Sequence, residues 1–272
     1  MNRQLEGKVI AVTGAGRGVG KGIALCLAAE GAAVVVNDIG ASLQGDGLDD
    51  TPAQEVVAEI EAAGGRALAC GDSVAEHDGA GRIVAAALDR FGRIDGAIHS
   101  AGILRDTIFH KMQPEDFERV LRVHLFGAFN IASACAPHFR AQEAGSLVFM
   151  TSTAALIGSV GQANYAAAKM GIVGLSRSIS LDMARFGVRS NCIAPHAFFE
   201  DDRKRPRPLG GRAGKSAGGR PAPTRSRRSP LSCVPTGRGT SQARSSARAA
   251  TRSTCTTSRA RSARCTARTA GR

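Results

Sequence analysis

Six short runs of β-branched and small apolar residues alternate with stretches of helical periodicity, and this alternation restricts the fold more than any other feature of the sequence. The runs predict strands at residues 8–13, 32–37, 66–71, 95–99, 146–151 and 188–193. Helices are predicted up to residue 30, at 52–63 and 78–91, after residue 114 and around residue 165. Strands separated by helices form parallel β-α-β units, which predicts an α/β fold with a doubly wound parallel sheet of the Rossmann type.

A glycine-rich turn follows the first predicted strand, at residues 13–20. Glycines also mark ordinary turns, but these stand between a strand and a helix with apolar periodicity. In that position they permit a tight turn and a close approach of the backbone to a pyrophosphate at the helix N-terminus. The predicted cofactor-binding residues of the turn are Thr13, Gly14, Gly16, Arg17, Gly18, Val19 and Gly20.

A carboxylate closes the second predicted strand at Asp38, 18 residues after Gly20. An acidic side chain there can accept hydrogen bonds from both hydroxyls of an adenosine ribose, and it repels a 2′-phosphate. Arg17 favours the opposite choice, since its guanidinium can pair with that phosphate. The sequence therefore favours NAD over NADP as the cofactor.

The segment 152–169 contains Ser152, Tyr165 and Lys169, a hydroxyl thirteen residues before a Tyr-x-x-x-Lys pattern. On a helix the i,i+4 spacing places the phenol and the ammonium on one face. The ammonium favours the phenolate, which suits the tyrosine to general acid/base catalysis. Ser152 can bond the same substrate oxygen. The pattern alone is also compatible with an ordinary amphipathic helix.

Together these motifs resemble the classical short-chain dehydrogenases/reductases over about residues 5–199. The glycine spacing is that family's T-G-x-x-x-G-x-G, and Ser152, Tyr165 and Lys169 stand at its catalytic positions. The resemblance implies hydride transfer between a nicotinamide and a carbinol or carbonyl carbon. Tyr165 would exchange the proton, Ser152 would hold the oxygen, and Lys169 would also bind the nicotinamide ribose.

Further cofactor contacts are implied by the same resemblance. The acidic residue near the adenine ring corresponds to Asp72, with Ser73 beside it. The sequence H-S-A-G at 99–102 stands where the family usually has N-N-A-G, so histidine and serine replace two asparagines. The remaining residues expected at the cofactor are Ala101, Gly102, Tyr165, Lys169 and Pro195.

A narrower resemblance is to the (3R)-hydroxyacyl-CoA dehydrogenase domain of peroxisomal multifunctional enzymes and its bacterial relatives. It is carried by residues 36–40, 101–106, 122–127 and 161–169. It implies an acyl-CoA-like small-molecule substrate and a homo-oligomer. It also makes His124 a candidate proton-relay residue, although a structural histidine fits that helix as well. An NADP-dependent 3-oxoacyl or steroid-type reductase is the alternative.

The C-terminal segment differs from the rest in composition, so the chain is divided into a dehydrogenase domain at 1–199 and a tail at 200–272. Residues 201–272 contain 19 of the 36 Lys and Arg and only two acidic residues, which gives them a net charge of +17. This composition predicts disorder. It also permits nonspecific binding of nucleic-acid phosphates, without any aromatic residue for base stacking.

A change of reading frame explains the tail better than either property. Arg, Ala, Ser, Thr, Pro and Gly are the residues that GC-rich coding DNA gives when it is translated out of frame. Codons for residues 240–247, regrouped one nucleotide earlier, can encode D-V-S-G-Q-I-F-G, which resembles the start of the family's last strand. We therefore hypothesise one or more frameshifts near residue 198. The last strand and helix of the fold would then be missing or corrupted, and activity of the 272-residue chain would be doubtful.

The composition also bears on membrane insertion, metal binding and compartment. A membrane-spanning helix needs about 18 apolar residues, and no uncharged apolar run approaches that length. Residues 1–7 are polar, unlike the start of a signal peptide. Cys26, Cys70, Cys135 and Cys192 stand singly in apolar stretches, as reduced thiols of a cytoplasmic protein do. No Cys and His spacing resembles a metal site, so no metal is predicted.

Overall fold

The computed structural model of the chain describes residues 3–195. They contain one parallel sheet with the strand order β3-β2-β1-β4-β5-β6. Its strands are Val9–Thr13 (β1), Ala33–Asn37 (β2), Arg66–Cys70 (β3), Gly96–His99 (β4), Gly145–Met150 (β5) and Val188–Ile193 (β6). The predicted doubly wound parallel sheet is confirmed, with every strand boundary within one residue of the prediction. The predictions for residues 200–272, including the altered last strand and helix, lie outside the described residues.

Helices cover both faces of this sheet. They are Gly18–Ala29 (α1), Thr51–Ala62 (α2), His77–Phe91 (α3), Pro114–Leu121 (α4), Gly127–Gln142 (α5), Thr153–Ile157 (α6) and Ala163–Asp182 (α7). On one face α1 and α2 pack through Ala24, Val56 and Ile60. On the other face α3, α5 and α7 pack through Ile83, Ile131 and Ile172. Because both faces are covered, every residue of β1 and β2 is buried, which is why these strands are apolar up to their last residues, Thr13 and Asn37.

The stretch Pro114–Gln142 is helical throughout and includes a π-helical turn at Arg122–Phe126. Its length and composition would allow it to cross a membrane. However, Ile131, Cys135 and Phe139 are fully buried in the cluster that packs against the sheet, as expected for a core helix. The π-turn was not predicted from the sequence, and neither was the short helix α6.

The sheet places a crevice at the carboxyl ends of β1 and β4. In sequence order the chain moves from β1 to β2 and β3 on one side, then crosses to β4 and the strands beyond it. The strand order therefore reverses between β1 and β4, and open α/β sheets bind ligands at this point. The segments that follow β1, β2, β4 and β5 carry the residues described next.

Candidate active site

The glycine-rich turn is packed too closely for side chains. A Cβ added to Gly14 would lie 2.6 Å from Ala101 Cα, and one added to Gly20 would lie 2.0 Å from Gly14 O. Gly14 also has a φ of +64°, in the left-handed region. At the start of α1, Arg17 makes no side-chain hydrogen bond that caps the helix. The first backbone amides of α1 directly follow the glycine-rich turn and have no side-chain cap, an arrangement that suits a phosphate.

The carboxylate of Asp38 is held by backbone amides from two segments. Its Oδ2 accepts from Gly16 N at 2.8 Å, and its Oδ1 accepts from Gly40 N at 2.8 Å. The side chain is half-buried, beside the glycine-rich turn. Arg17 is exposed, and its guanidinium reaches the carbonyl of Ala41 at 3.5 Å. Both predicted determinants of cofactor choice therefore lie on one side of the crevice.

Asp72 and Ser73 follow β3 and are largely engaged within the protein. Asp72 pairs with the guanidinium of Arg82 at 2.5 Å, and its other carboxylate oxygen accepts from Cys70 Sγ at 3.3 Å. Ser73 Oγ accepts from Ala75 N at 3.3 Å. Asn37 Nδ2 donates to the carbonyl of Asp72 at 2.8 Å and so fixes this segment to the end of β2.

His99 connects two parts of the site. Its Nε2 lies 3.1 Å from the His124 carbonyl, so Nε2 carries the proton and donates it. Its Nδ1 then accepts from Thr13 Oγ1 at 2.9 Å, and Thr13 Oγ1 accepts from Ala101 N at 3.3 Å. Burial lowers the pKa of His99 to about 3, with the charge of Lys169 adding to the effect, so the ring is neutral. His99 therefore provides a fully bonded connection between the glycine-rich turn and the π-turn.

His124 lies on the π-turn, buried, with its ring against Gly102. A Cβ on Gly102 would lie 2.2 Å from His124 Cε1, so glycine is needed there. His124 Nε2 is 2.9 Å from the Ile103 carbonyl and 3.2 Å from the Ile103 amide. In either tautomer Nδ1 has no partner, and within residues 3–195 it is the one buried side-chain nitrogen or oxygen in that state. Burial, together with the charge of Lys169, holds the pKa of His124 well below its usual range.

The predicted catalytic pair lies on α7. Lys169 is 3% exposed, and its Nζ donates to the Met150 carbonyl at 2.7 Å. The same Nζ lies 5.5 Å from the ring centroid of Tyr165, which is half-buried. The Tyr165 ring also meets the His124 ring edge-on, with centroids 5.2 Å apart. Burial lowers the pKa of Lys169 to about 8, so its ammonium form still predominates at neutral pH.

Ser152 and Pro195 lie at the ends of two paired strands. Ser152 follows β5 and is the N-cap of α6, where its side chain accepts from Ala154 N at 3.2 Å. Next to it, Thr151 N donates to the Ile193 carbonyl at the end of β6. This bond places exposed Pro195 on the same edge of the sheet as Ser152. The predicted residues after β1, β2, β3, β4, β5 and β6 are thus all at the carboxyl edge.

Asn164 was not predicted from the sequence, although it supports the tyrosine. It is fully buried, and its Oδ1 accepts from Tyr165 N at 2.7 Å. Its Nδ2 donates to the Arg105 carbonyl at 3.0 Å. A polar residue directly before the tyrosine, within a run of alanines, was the available signal. No group of three or more His, Cys, Asp or Glu that could hold a metal occurs among residues 3–195.

A family model for short chain dehydrogenases matches residues 8–204, most of the chain. The chain belongs to the short-chain dehydrogenase/reductase family. It is 50% identical over 193 residues to a Mycobacterium tuberculosis protein named as a short-chain type dehydrogenase/reductase, a match that covers 71% of this chain and 68% of that one. It is 42% identical over 194 residues to peroxisomal multifunctional enzyme type 2 of Mus musculus. That match covers 71% of this chain and 26% of the mouse protein.

A solved 7α-hydroxysteroid dehydrogenase, in complex with NADH and 7-oxo glycochenodeoxycholic acid, has the same fold as this short-chain dehydrogenase. The two are 32% identical with a TM-score of 0.68, over 75% of this chain and 76% of the other. The predicted family is therefore confirmed, as is its relation to the peroxisomal multifunctional enzymes. This short-chain dehydrogenase is an oxidoreductase with a nicotinamide cofactor site. The uncapped N-terminus of α1 and the close-packed glycines described above fit the phosphates of that cofactor.

Proposed function

We propose that this short-chain dehydrogenase oxidises a 3-hydroxyacyl-CoA-like secondary alcohol with NAD, or reduces the corresponding ketone with NADH. The observation that carries the proposal is the buried Lys169 ammonium, 5.5 Å from the ring centroid of Tyr165. Burying a charge is costly unless the group is paired or hydrogen-bonded, and the Lys169 ammonium donates to the carbonyl of Met150. A cation kept in this position favours the phenolate of Tyr165 and thus the transfer of a proton.

Three residues of the chain would have different roles at the reacting oxygen of the substrate. Tyr165 removes the hydroxyl proton during oxidation and returns it during reduction. Ser152, at the N-cap of α6, bonds the same oxygen and orients the substrate. Lys169 favours the phenolate and bonds the nicotinamide ribose. When bound, the nicotinamide accepts or supplies the hydride.

His124 is proposed to relay the proton away from Tyr165. Its Nδ1 is buried without a protein partner, and its ring meets that of Tyr165 at 5.2 Å. A buried polar atom without a partner is costly, so an ordered water bonded to Nδ1 fits the site. Because the ring is held neutral, His124 would orient this water as an uncharged donor or acceptor. The contacts to Gly102 and Ile103 would also be satisfied by a purely structural histidine.

NAD is proposed as the cofactor because of Asp38. Each carboxylate oxygen already accepts one backbone amide at 2.8 Å, which fixes its direction and leaves lone pairs for the ribose hydroxyls. A 2′-phosphate would bring negative charge against this carboxylate. The related hydroxysteroid dehydrogenase is in complex with NADH, which supports the same choice. The turn and strand-end residues from Thr13 to Gly20, with Asp72, Ser73, Ala101, Gly102 and Pro195, are proposed to line this cofactor.

The substrate class rests on the similarity to peroxisomal multifunctional enzyme type 2, of which this chain matches about a quarter. A steroid-type or 3-oxoacyl reductase is the second candidate, favoured by the similarity to the 7α-hydroxysteroid dehydrogenase. A homo-oligomer in the cytoplasm remains our expectation for the intact enzyme. Nucleic-acid binding by the basic tail would at most be nonspecific.

The test compares substrates and cofactors on the full chain and on the frame-restored chain, each with and without Asp38→Ala. We expect 3-hydroxyacyl-CoA with NAD to give the highest kcat/KM, and hydroxysteroids to give less. Asp38→Ala should shift the NAD to NADP preference toward NADP. Glu59→Gln, which removes a carboxylate paired with Lys21 on the outer helices, is the matched control. Higher kcat/KM with a hydroxysteroid, or an unchanged cofactor ratio in Asp38→Ala, would contradict the proposal.

A further inference from the structure

The connection between β2 and α2, residues 38–50, is much longer than the two to six residues usual for such a loop. We call it the β2–α2 loop. Its two ends are joined by a hydrogen bond from Asp49 N to Ile39 O at 3.0 Å. At Gly40, with φ of +67°, an added Cβ would lie 1.7 Å from Asp49 O. The two ends of the β2–α2 loop are therefore held together at the end of β2, and the residues between them form a compact projection.

The middle of the β2–α2 loop is hydrogen-bonded to the segment that follows β4. Leu104 N donates to the Leu43 carbonyl at 2.8 Å. Arg105 Nε donates to the Gln44 carbonyl at 2.8 Å, and the same guanidinium pairs with Asp46 at 3.0 Å. In the sheet β1 lies between β2 and β4. A loop that starts at β2 and is fixed beyond β4 therefore passes the carboxyl end of β1, where the glycine-rich turn begins.

Arg105 also reaches the helix that carries the tyrosine. Its guanidinium pairs with Asp116 in the first turn of α4 at 3.3 Å, and its carbonyl accepts from Asn164 Nδ2. Asn164 in turn accepts from Tyr165 N at 2.7 Å. The Arg105 side chain is only 22% exposed. One arginine thus joins the β2–α2 loop, α4 and the start of α7.

We propose that Arg105 is a positioning residue for dinucleotide binding: it holds the β2–α2 loop across the cofactor crevice and so slows release of the dinucleotide. This proposal rests on the proposed function, because it requires a nicotinamide dinucleotide in that crevice. The Arg105 side chain bonds Gln44, Asp46 and Asp116, so it acts through the loop rather than on the reacting atoms.

The geometry calls for arginine in particular. Three guanidinium nitrogens meet three acceptors on two segments, and a planar fork can do this without rearrangement. A lysine offers one ammonium that cannot reach all three at once. Arg119 also approaches Asp46, at 3.5 Å, but both side chains are more than half exposed. Such an exposed pair is expected to contribute little, so the attachment should depend on Arg105.

The first measurement needs no cofactor. Amide hydrogen exchange of residues 39–50 is followed by mass spectrometry in the full chain and in Arg105→Gln, Arg105→Lys and Asp46→Asn. We expect faster exchange in all three variants, with Arg105→Lys the mildest. Asp46 is 64% exposed in its side chain, so Asp46→Asn should leave the rest of the fold unchanged. Glu59→Gln, which breaks the 2.7 Å pair with Lys21, is the control and should exchange like the wild type in this segment.

The second measurement is the dissociation rate of NADH, by stopped-flow fluorescence. Loss of the charge-assisted bonds of Arg105 should speed dissociation by about tenfold in Arg105→Gln. At saturating cofactor kcat should change much less than this rate. If Arg105 had only a structural role, Arg105→Gln would lower the melting temperature but would not raise the NADH dissociation rate selectively over kcat.

The outcomes separate the two proposals. Unchanged exchange of residues 39–50 in Arg105→Gln would show that Arg105 does not hold the loop. Faster exchange with unchanged NADH dissociation would show that the loop does not retain the dinucleotide. Either result overturns this inference and leaves the proposed function standing. Failure of both the 272-residue chain and the frame-restored chain to bind NADH or NADPH would instead overturn the proposed function and the role of the loop in dinucleotide release.

Discussion

The buried Lys169 should make the stability of the protein depend on pH in a predictable direction. Burial lowers its pKa from 10.5 to about 8 in the folded state. Below pH 8 both the folded and the unfolded chain carry the proton, so stability does not change with pH on this account. Between about pH 8 and 10.5 the unfolded chain binds more protons at this site, so the free energy of unfolding rises with pH. At neutral pH the folded state therefore bears the full cost of the buried cation.

The magnitude follows from the size of the shift. At 1.36 kcal/mol per pKa unit, the shift of Lys169 corresponds to about 3 kcal/mol in all, of which about 2 kcal/mol should be recovered by pH 9.5. In Lys169→Met this dependence is absent. The difference in unfolding free energy, wild type minus Lys169→Met, should thus rise by about 2 kcal/mol between pH 7 and pH 9.5. The lost bond to Met150 O lowers the stability of the variant by an amount that does not vary with pH.

The assay is urea unfolding at pH 7, 8, 9 and 9.5, with identical ionic strength throughout. Taking the difference between the two proteins removes the titration of groups that they share. Lys111→Met, at an exposed lysine, distinguishes burial from the loss of any lysine. A wild-type minus Lys169→Met difference that stays constant from pH 7 to 9.5, or falls, would refute the reasoning from burial.

Three further predictions concern packing and the tail. Gly102→Ala should push against buried His124, lowering the stability of the protein by about 1–3 kcal/mol and also lowering kcat. Gly81→Ala in α3, where an added Cβ meets nothing within 4 Å, should change neither quantity. Thermal unfolding measures the stability, and turnover measures kcat. Phe139→Ala, at a fully buried ring, should lower the urea-unfolding free energy by about 3–5 kcal/mol. Sequencing the coding DNA past codon 196 should reveal a frame that encodes an apolar, family-like C-terminus, and the frame-restored chain should exceed the 272-residue chain in soluble yield and NAD-dependent activity. Equal yield and activity would remove the frameshift hypothesis.

The sheet and the glycine-rich turn could be predicted because their signals are local. Runs such as residues 32–37 must lie inside a covered sheet, and Gly14 and Gly20 stand between a strand and a helix. The spacing of Tyr165 and Lys169 on one helix also determines their shared face. The apolar stretch around Cys26 did not show which face of α1 is buried, and Cys26 is exposed on that helix. The weak amphipathicity of that helix left the buried face undecided.

The connections across the site could not be predicted, because they join distant parts of the chain. Thr13 and His99 are 86 positions apart, and their hydrogen bond depends on the pairing of β1 with β4. The π-turn around His124 arises where a long helix passes the site, and the residues of the turn form no sequence pattern that indicates a π-helix. The reach of Arg105 to a loop 59 positions earlier likewise depends on the order of the strands. In each case tertiary pairing decides which side chains meet.

The most direct test of the central claim is Tyr165→Phe, made in the full chain and in the frame-restored chain. The variant keeps the ring that packs against His124 and lies beside Lys169, and it removes only the hydroxyl group with its transferable proton. NADH binding and the turnover of 3-hydroxyacyl-CoA with NAD are measured on the same preparations. We predict that NADH affinity is retained while kcat falls by roughly 10²–10⁴ or more, the contribution typical of a general acid/base. A Tyr165→Phe variant that turns over at a rate close to that of its parent would contradict this role.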